Sequence, residues 1–325
     1  MISKLKKKDF SLIKGLLEDY YSVNGRKHYN NVNLLFQSFE SAVLTDEISI
    51  YYSHRENNFV SGIAVSQIER KQFSIGSIGF LYIHSSFNEK INQERKLIIE
   101  NELIEQTINK LKQECDYISV KNIKLSERGM KSLLTLGLIK YSRTNMKISK
   151  DKILSLKSED LPPNYEIIHF EENFLDETAN LLVDSNKGHI DSKIFPDFSN
   201  IEASKEMINN FINNKSGKFK KECSNLIKFE NKIIGYCFIS VFDGKIGFIL
   251  DVGIAHNHRR KGLAKCLIIY SMNNLIKLDE KIELFELAVT LENKSASNLY
   301  EKLGFDYSNY FDVFIWNKNL NNKNS

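Results

Sequence analysis

The chain has 325 residues, of which 42% are apolar, and its formal net charge is +4. This length is enough for two domains of ordinary size, and the apolar content is enough to fill their cores. So small a net charge gives no electrostatic reason to expect a nucleic-acid partner, because proteins that bind nucleic acids carry a marked basic excess.

The cysteines and the apolar runs indicate the compartment. The four cysteines show no paired spacing and no Cys-x-x-Cys, which is typical of free thiols in a reducing environment. Residues 1–30 carry no signal-peptide pattern, and no apolar run approaches the length of a membrane span. We therefore expect a cytoplasmic protein without a membrane partner.

Helical and strand periods alternate along the first half of the chain. The pattern predicts helices over 9–21 and 33–44, strands over 48–52, 59–67 and 77–84, a long helix over 94–113, a strand over 117–120, a helix over 127–136 and a strand over 141–148. The first two strands form a hairpin whose turn contains Glu56, Asn57 and Asn58.

A linker is predicted next. Residues 149–164 are charged, contain serines and close on Pro162 and Pro163, which disfavour helix. We place a linker over 151–163, between a first domain of residues 1–150 and a second domain of residues 164–325.

The second half repeats the order of the first. It predicts a strand over 165–169, helices over 174–184 and 201–213, strands over 224–230, 233–242 and 246–254, a helix over 265–278, a strand over 282–291 and a last helix that stops at Gly304.

A basic turn follows the strand predicted over 246–254. It contains Arg259, Arg260, Lys261 and Gly262 and leads directly into the next predicted helix. The first N–H groups of a helix have no partner inside it, so they can bind a phosphate, and a glycine lets the backbone approach closely. The turn predicts a ligand with a phosphate or pyrophosphate, although similar turns occur on ordinary protein surfaces.

A second segment, which starts at Asn293, decides between these two readings. Four of its residues share one helical face: Ala296, Leu299, Tyr300 and Leu303. Together the two segments resemble the GNAT acyl-CoA N-acyltransferases. The phosphate loop of that family reads R/Q-x-x-G-x-G/A, and its second motif reads N-x-x-A-x-x-L-Y-x-x-x-G-F. The matching residues are Arg259, Gly262 and Ala264 in the loop and Asn293, Ala296, Leu299, Tyr300, Gly304 and Phe305 in the second motif. The resemblance covers about residues 164–318 directly.

The resemblance implies an α/β fold class: two tandem GNAT-like domains, each with a central mixed, mostly antiparallel sheet flanked by helices. It implies acetyl-CoA as the acyl donor and no metal. The strand over 246–254 would part from the next strand, the pantetheine arm would lie in the gap, and the pyrophosphate would sit on the loop. The implied cofactor-binding residues are Val252, Gly253, Ile254, Arg259, Arg260, Lys261, Gly262, Leu263, Ala264, Asn293 and Ala296.

The resemblance also implies catalytic roles. Tyr300 would donate a proton to the leaving thiolate, or would merely pack on the inner face of its helix. Asn293 would contact the cofactor, cap its helix, or do both. Asp251 is the candidate general base, but its face of the strand depends on a register that the sequence does not fix. The alternatives are a weaker candidate in Glu286, or a chain of water molecules.

The histidines beside the turn have a simpler interpretation. His256 and His258 flank the basic loop, and we expect them to contact phosphate or solvent rather than to act as the base. His189 is expected to be structural or exposed to solvent.

The chain also resembles itself. Ile78-Gly79-Phe80 returns as Ile246-Gly247-Phe248, Gly62 corresponds to Gly235, and Gly137 corresponds to Gly304. These landmarks keep one order at nearly one offset, which indicates a tandem duplication. An offset of 168 carries the phosphate loop onto residues 91–96, which contain no glycine but include Glu94, and Leu133 stands at the position of Tyr300. We predict a degenerate first domain without catalysis.

The acceptor is less defined. Residues 184–198 mix a histidine, aromatics, carboxylates and lysines, which suits a small polar acceptor. The leading hypothesis is an acetyl-CoA-dependent N-acetyltransferase that acts on the primary amine of an amino sugar, amino acid, polyamine or antibiotic. Two alternatives stay open: an enzyme acting on protein amines with the first domain as a docking module, and a non-catalytic acyl-CoA-binding scaffold. The oligomeric state is undetermined.

Overall fold

The computed structural model describes residues 2–24, 32–54, 59–88, 92–156 and 160–321. The chain forms two compact units. Unit 1 consists of Met1–Tyr141 and Asp312–Ser325, and unit 2 consists of Ser142–Phe311.

The elements follow one another along the chain, with short 3-10 helices between some of them. From the first strand to the sixth they are β1 (Ile2–Lys4), α1 (Lys14–Val23), α2 (Val32–Leu44), β2 (Ile48–His54), β3 (Val60–Arg70), β4 (Ser74–Ile83), α3 (Gln93–Glu114), β5 (Tyr117–Val120), α4 (Glu127–Thr135) and β6 (Ile139–Ser149). The remainder are α5 (Lys150–Leu154), β7 (Tyr165–His169), α6 (Leu175–Asn186), α7 (Asp191–Ile194), α8 (Ile201–Ile212), β8 (Lys218–Phe219), β9 (Asn225–Phe229), β10 (Lys232–Phe242), β11 (Ile246–Ile254), α9 (Leu263–Leu278), β12 (Leu284–Thr290), α10 (Lys294–Leu303), β13 (Asp306–Asn317) and α11 (Lys318–Asn321).

Unit 1 is built on strands in the order β1-β2-β3-β4-β5, with the end of β13 beside β5. Only the β4–β5 pair is parallel among the pairs described for this unit. One face carries α1 and α2 over a core that includes Leu17, Leu35 and Ile63. The other face carries α3 and α4 over a core that includes Ile104 and Leu133.

Unit 2 repeats this plan in the order β7-β9-β10-β11-β12-β6, with β8 also paired to β10. Here β11 and β12 are parallel, and their neighbours are antiparallel. Helices α9, α10 and α5 cover one face through residues such as Leu267, Tyr300 and Ile153. Helices α6 and α8 cover the other, where Phe238 is fully buried. The mixed α/β fold with sheets between helices is the fold class expected from the sequence.

The boundary between the units differs from the predicted domains of residues 1–150 and 164–325. Strand β6 runs on to Ser149 and pairs with β12 from Arg143 onward, so its second part belongs to unit 2. Part of the predicted linker over 151–163 is the helix α5, whose Ile153 is fully buried. The boundary between the units is therefore set by pairing between strands that are distant in sequence.

The end of β13 makes the second difference. Phe314 and Trp316 pair with Val120 and Ile118 of β5 and lie in the core of unit 1. Residues 312–325 consequently count with unit 1, although they come last in the chain.

Two β-bulges define the correspondence between the units and correct the predicted offset. Gly79 is the extra residue in β4, and Leu250 is the extra residue in β11, 171 positions later. Gly76, not Gly79, therefore corresponds to Gly247. A Cβ at Gly76 would lie 2.9 Å from Leu111, and one at Gly247 would lie 2.5 Å from Phe285, so both strands need glycine where a neighbour packs closely. The predicted match of residues 78–80 with 246–248 is wrong by three positions.

The other landmarks of the duplication are confirmed. Gly62 and Gly235 each face the last residue of the next strand. Gly137 and Gly304 both adopt the left-handed conformation, with φ of 76° and 89°, just after α4 and α10. The predicted hairpin turn at residues 56–58 lies outside the described residues. Within the described ranges, none of the helices is both long enough and apolar enough to traverse a lipid bilayer.

Candidate active site

The site of unit 2 begins where β11 and β12 part. In parallel register they pair only at Ile246–Leu284, Gly247–Phe285 and Phe248–Glu286 among the described residues. Beyond this point β12 pairs with β6 on its other side, while Val252 and Ile254 continue to pair with β10. Among the strands that the structure describes, none pairs with the second edge of the backbone at 252–254, as the resemblance implied.

The loop after β11 leads into the first turn of α9. Gly262 is the N-cap of this helix at φ 77°, and Arg260 is also left-handed at φ 64°. No side chain caps the helix and no acidic residue lies in its first turn. Leu263 is buried and Ala264 packs against the core, so the helix start is held in place. Its first N–H groups are available to an anion.

The basic side chains of this loop behave differently from one another. Nε and Nη2 of Arg259 donate to the carbonyls of Ile254 and Ser185, at 3.0 and 2.6 Å. Burial lowers the pKa of this guanidinium. Arg259 thus ties the end of β11 to the end of α6. Lys261 donates to the Tyr165 hydroxyl at 2.9 Å, and the side chain of Arg260 is exposed.

Asp251 lies on the face of β11 that α6 and α8 cover. Its Oδ2 accepts from the Tyr236 hydroxyl at 3.0 Å, and its Oδ1 accepts from the Val252 N–H at 2.9 Å. Burial raises the pKa of this carboxyl to about 7, with a smaller contribution in the same direction from Asp191, and the two hydrogen bonds oppose the rise. A carboxyl in this state can exchange a proton near neutral pH.

Gly253 makes the Tyr236 contact possible. The two residues are directly opposite in the antiparallel register of β10 and β11. A Cβ at Gly253 would lie 2.6 Å from the Tyr236 ring and its hydroxyl oxygen. The glycine therefore lets a fully buried tyrosine lie against β11 and reach Asp251.

Tyr300 lies on the inner face of α10. Its side chain is buried and packs near Phe305, with ring centroids 5.8 Å apart. In the described part of the chain its hydroxyl has no hydrogen-bond partner. Burial raises the pKa of this phenol, and the charge of Asp251 adds to the rise, so the hydroxyl stays protonated near neutral pH.

A polar cluster at the start of α10 was not foreseen. The N-cap Asn293 accepts from the Ala296 N–H at 3.1 Å, which confirms the predicted capping role. Its Nδ2 also donates to Asp191 at 2.9 Å, and Thr290 donates to the same carboxylate at 2.6 Å. Burial would raise the pKa of Asp191, but the hydrogen bonds from His189, Thr290 and Asn293 outweigh it and lower the pKa.

Residues 184–198, whose composition suits a small polar acceptor, thus reach the start of α10 through Asp191. Their mixed composition was noted in the sequence, but the sequence contains no local signal for the partners of this carboxylate. His189 forms a contact with it at 3.2 Å, so its expected structural role is supported by a specific partner. Arg143 of β6 was also missed, because the predicted boundary assigned it to the first domain.

The histidines beside the loop and the weaker base candidate Glu286 lie at other points of unit 2. His256 lies 3.1 Å from the Asp184 carbonyl, and His258 lies 2.9 Å from the Tyr165 hydroxyl. Glu286 is on the part of β12 that still pairs with β11. The described residues contain no group of three or more His, Cys, Asp or Glu side chains that could hold a metal ion.

The corresponding region of unit 1 is built differently. Helices α4 and α10 start alike, since Ser126 caps Gly129 as Asn293 caps Ala296. In unit 1, however, the N-cap is tied to α3: Glu100, which is buried, accepts from both the Ser126 N–H and its hydroxyl. Helices α3 and α4 pack directly together, whereas α9 and α10, both fully described, do not pack closely.

Unit 1 also lacks the side chains of the site. With the offset of 171 that the bulges set, Phe80 stands at the position of Asp251. With the offset of 167 between the N-caps Ser126 and Asn293, Leu133 stands at the position of Tyr300. Strand β5 ends at Val120, where its pairing with β4 ends, so it has no counterpart of the free end of β12. The phosphate loop corresponds to residues 88–93; 89–91 lie outside the described residues, and the sequence there contains no glycine.

Comparison with known proteins agrees with this architecture. Residues 189–305 match the model of the acetyltransferase (GNAT) family. A GCN5-related N-acetyltransferase from Sphaerobacter thermophilus superposes with a TM-score of 0.58 at 16% identity, covering 98% of this chain and 95% of that one. A tandem GNAT protein from the clavulanic acid biosynthesis pathway gives 0.56 at 9% identity, with 98% of both chains covered.

A third structure is longer than this chain. The GCN5-related glucosamine N-acetyltransferase region of a fungal multi-domain GH3 β-N-acetylglucosaminidase gives a TM-score of 0.58 at 10% identity, with 97% of this chain but 38% of that one covered. Identities this low show a shared fold and not a shared substrate. No curated protein matches the sequence.

Proposed function

Since this chain is a tandem-domain member of the GNAT superfamily, we propose that unit 2 transfers an acetyl group from acetyl-CoA to the primary amine of a small molecule. Both substrates would be bound together, and the amine nitrogen would attack the thioester carbonyl directly. Unit 1 would bind no cofactor.

One observation carries the proposal: β11 and β12 part beside an uncapped helix start. The pairing of the two strands ends at Phe248, and α9 begins at Gly262 without a side-chain cap. The exposed backbone edge at 252–254 suits an extended, amide-containing arm such as pantetheine. The free N–H groups of α9 suit a pyrophosphate. Arg260 and Lys261 add positive charge at this end of the site.

Asp251 is the proposed general base. An ammonium must lose a proton before its nitrogen can attack, and a carboxyl whose pKa is about 7 can take that proton at neutral pH. The Tyr236 hydroxyl would hold the carboxylate in position. The partly exposed setting of Asp251 also leaves its proton a route to solvent.

Tyr300 is the proposed general acid. The new bond joins the amine nitrogen to the acyl carbon, the carbon–sulfur bond breaks, and the departing thiolate takes a proton from the Tyr300 hydroxyl. The nitrogen releases its second proton, which restores the phenol through solvent, and Asp251 releases the first. The role is supported because this hydroxyl has no hydrogen-bond partner among the residues that the structure describes.

Calorimetric titration with acetyl-CoA, read for stoichiometry, tests the proposal first. We expect one site per chain, and then release of free CoA when a primary amine is added. Two sites would contradict the assignment of unit 1. Binding without transfer to any amine would favour a non-catalytic acyl-CoA-binding protein, and no binding would refute the proposed donor.

A further inference from the structure

Arg143 places a cation next to the polar cluster of unit 2, and the proposed chemistry does not use it. The residue stands on β6 directly opposite Thr290 at the end of β12. Thr290 donates to Asp191 at 2.6 Å, and Asp191 is the carboxylate whose charge acts on Arg143. All of these residues belong to unit 2.

Two aromatic rings lie against the guanidinium of Arg143. Its central carbon lies 4.8 Å from the centroid of the Phe195 ring and 5.9 Å from that of Phe311. Nη2 donates to the Ala288 carbonyl at 3.3 Å, beyond the usual range for such a bond. Nε is buried and has no hydrogen-bond partner in the parts of the chain that the structure describes.

The positive charge of Arg143 also lacks a direct counterion. No carboxylate of the described residues forms an ion pair with it, and Asp191 acts on it only over a longer distance. The oxygens of Asp191 already accept from Thr290, Asn293 and His189. Burial lowers the pKa of Arg143, which reflects the cost of holding this charge away from water.

A ligand anion would meet this charge. A guanidinium binds a planar carboxylate through two parallel N–H···O bonds, and the packed rings fix its orientation in advance. Asp251 lies on β11 beyond the point where β11 parts from β12, and Arg143 stands opposite Thr290 at the free end of β12. Asp191, which accepts from Thr290, contributes to the raised pKa of Asp251, in agreement with this placement. A cation and a proton-accepting carboxyl around one carboxylate are complementary to a zwitterion.

We propose that the acceptor is a small amine that also carries a carboxylate, and that Arg143 binds this carboxylate while Asp251 takes the proton of the ammonium. The inference rests on the proposed function and adds the chemical class of its acceptor. Arg143 takes no part in bond making or breaking. It acts on acceptor binding and orientation.

The test uses matched acceptors that differ in the carboxylate alone. The full-length protein is assayed with acetyl-CoA and a panel of amino acids, their amides and the corresponding decarboxylated amines, and both CoA release and product mass are measured. We expect kcat/KM for at least one acid to exceed that of its amide about tenfold or more, the size of effect expected from charge-assisted hydrogen bonds.

Variants at Arg143 assign the preference to this side chain. In Arg143→Gln the preference for the acid should fall to about onefold through a higher KM for the acid, with the KM of acetyl-CoA unchanged and the amide affected much less than the acid. Arg143→Lys, which keeps the charge but not the fork, should be intermediate. Lys147→Gln, an exposed cation on the same strand, is the matched control and should behave as wild type.

The possible failures are distinguishable. Equal use of acids, amides and decarboxylated amines, or an acid preference that survives in Arg143→Gln, overturns the inference and leaves the proposed function standing. Binding of acetyl-CoA without transfer to any amine overturns the proposed function, and the inference with it. If Arg143→Gln does not fold, the comparison of Arg143→Lys with wild type gives the same decision.

Discussion

Two helix pairs, α3 with α4 and α9 with α10, start from one plan and differ in what their N-caps bind. In unit 1 the N-cap Ser126 is held by Glu100 of α3, and the two helices pack together. In unit 2 the N-cap Asn293 donates to Asp191 of α7, and α9 does not pack closely against α10. We call α3 with α4 the closed pair, because the two helices pack together, and α9 with α10 the open pair, because they do not. The two pairs differ in the hydrogen-bond partner of the N-cap.

The comparison shows that unit 1 differs from unit 2 in two ways: it lacks the residues of the ligand site, and it has another side chain in the place of the ligand. Unit 1 lacks the glycine loop, and it has Phe80 and Leu133 where unit 2 has Asp251 and Tyr300. Glu100 in addition occupies the space between the helices, since a Cβ at Gly129 would lie only 2.9 Å from its carboxylate. A closed pair needs no ligand to satisfy its helix start.

The largest effect is expected at the open helix start. Gly262→Glu should abolish acetyl-CoA binding in calorimetry, because the new carboxylate would lie in the proposed pyrophosphate-binding site. The added Cβ would also strain the backbone, which has a φ of 77° at this position. Gly262→Asn, which tolerates this conformation and adds no charge, should keep measurable binding. Asn92→Glu at the N-cap of α3 is the unit 1 control, and a loss of binding there would mean that the first unit holds the cofactor.

The next effect is on turnover. Tyr300→Phe should lower kcat by roughly 10²–10⁴-fold, the usual contribution of a general acid, with little change in acetyl-CoA affinity. Tyr307→Phe serves as the control, because it removes another hydroxyl, one that donates to Glu301 of α10 at 2.5 Å. Equal rates for wild type and Tyr300→Phe would reduce Tyr300 to a packing residue, like its counterpart Leu133.

A substitution in the closed pair should change the stability of the protein and leave its binding of acetyl-CoA unchanged. Glu100→Ala should lower the free energy of unfolding of the protein by about 1–3 kcal/mol, because the Ser126 N–H and hydroxyl lose their buried acceptor. Urea denaturation measures this, with Glu102→Ala on the exposed face of α3 as the control. Acetyl-CoA stoichiometry should stay at one, and a second site in the variant would show that Glu100 alone had closed unit 1.

The smallest expected effect is a shift in the pH profile. Activity should rise with pH as Asp251 loses its proton, since its pKa is about 7. Tyr236→Phe removes a hydrogen bond that favours the ionised carboxylate, so the rising limb of kcat/KM should move to higher pH. Asp251→Asn should remove this limb. If the rising part of the pH profile of kcat/KM is unchanged in both variants, a group other than Asp251 titrates there.

Local chemistry explains what the sequence could predict. The N-cap Asn293 and the left-handed Gly262 and Gly304 follow from the preferences of single residues, and each lies where the motifs indicated. Strand β5 and strand β7 were predicted with the bounds observed, because both are short and each begins directly after a polar residue, Asp116 and Asn164.

The errors concern contacts between residues that are distant in sequence. The match of residues 78–80 with 246–248 followed a coincidence of letters, whereas bulges set the true register three positions away. Arg143 and Asp191 reach the site only because β6 pairs with β12 and because α7 approaches the start of α10. Contacts of this kind cannot be predicted from the pattern of apolar and polar residues along the chain.

The pairing of β13 with β5 also constrains how the protein can be made. Phe314 must pair with Val120, and Trp316 with Ile118, so the sheet of unit 1 stays incomplete until translation has passed the whole of unit 2. Contacts of such sequence separation are slow to form because a long loop must close first. During synthesis β5 therefore presents an unpaired edge, and we expect nascent or truncated chains that end before residue 312 to be prone to aggregation and to depend on chaperones.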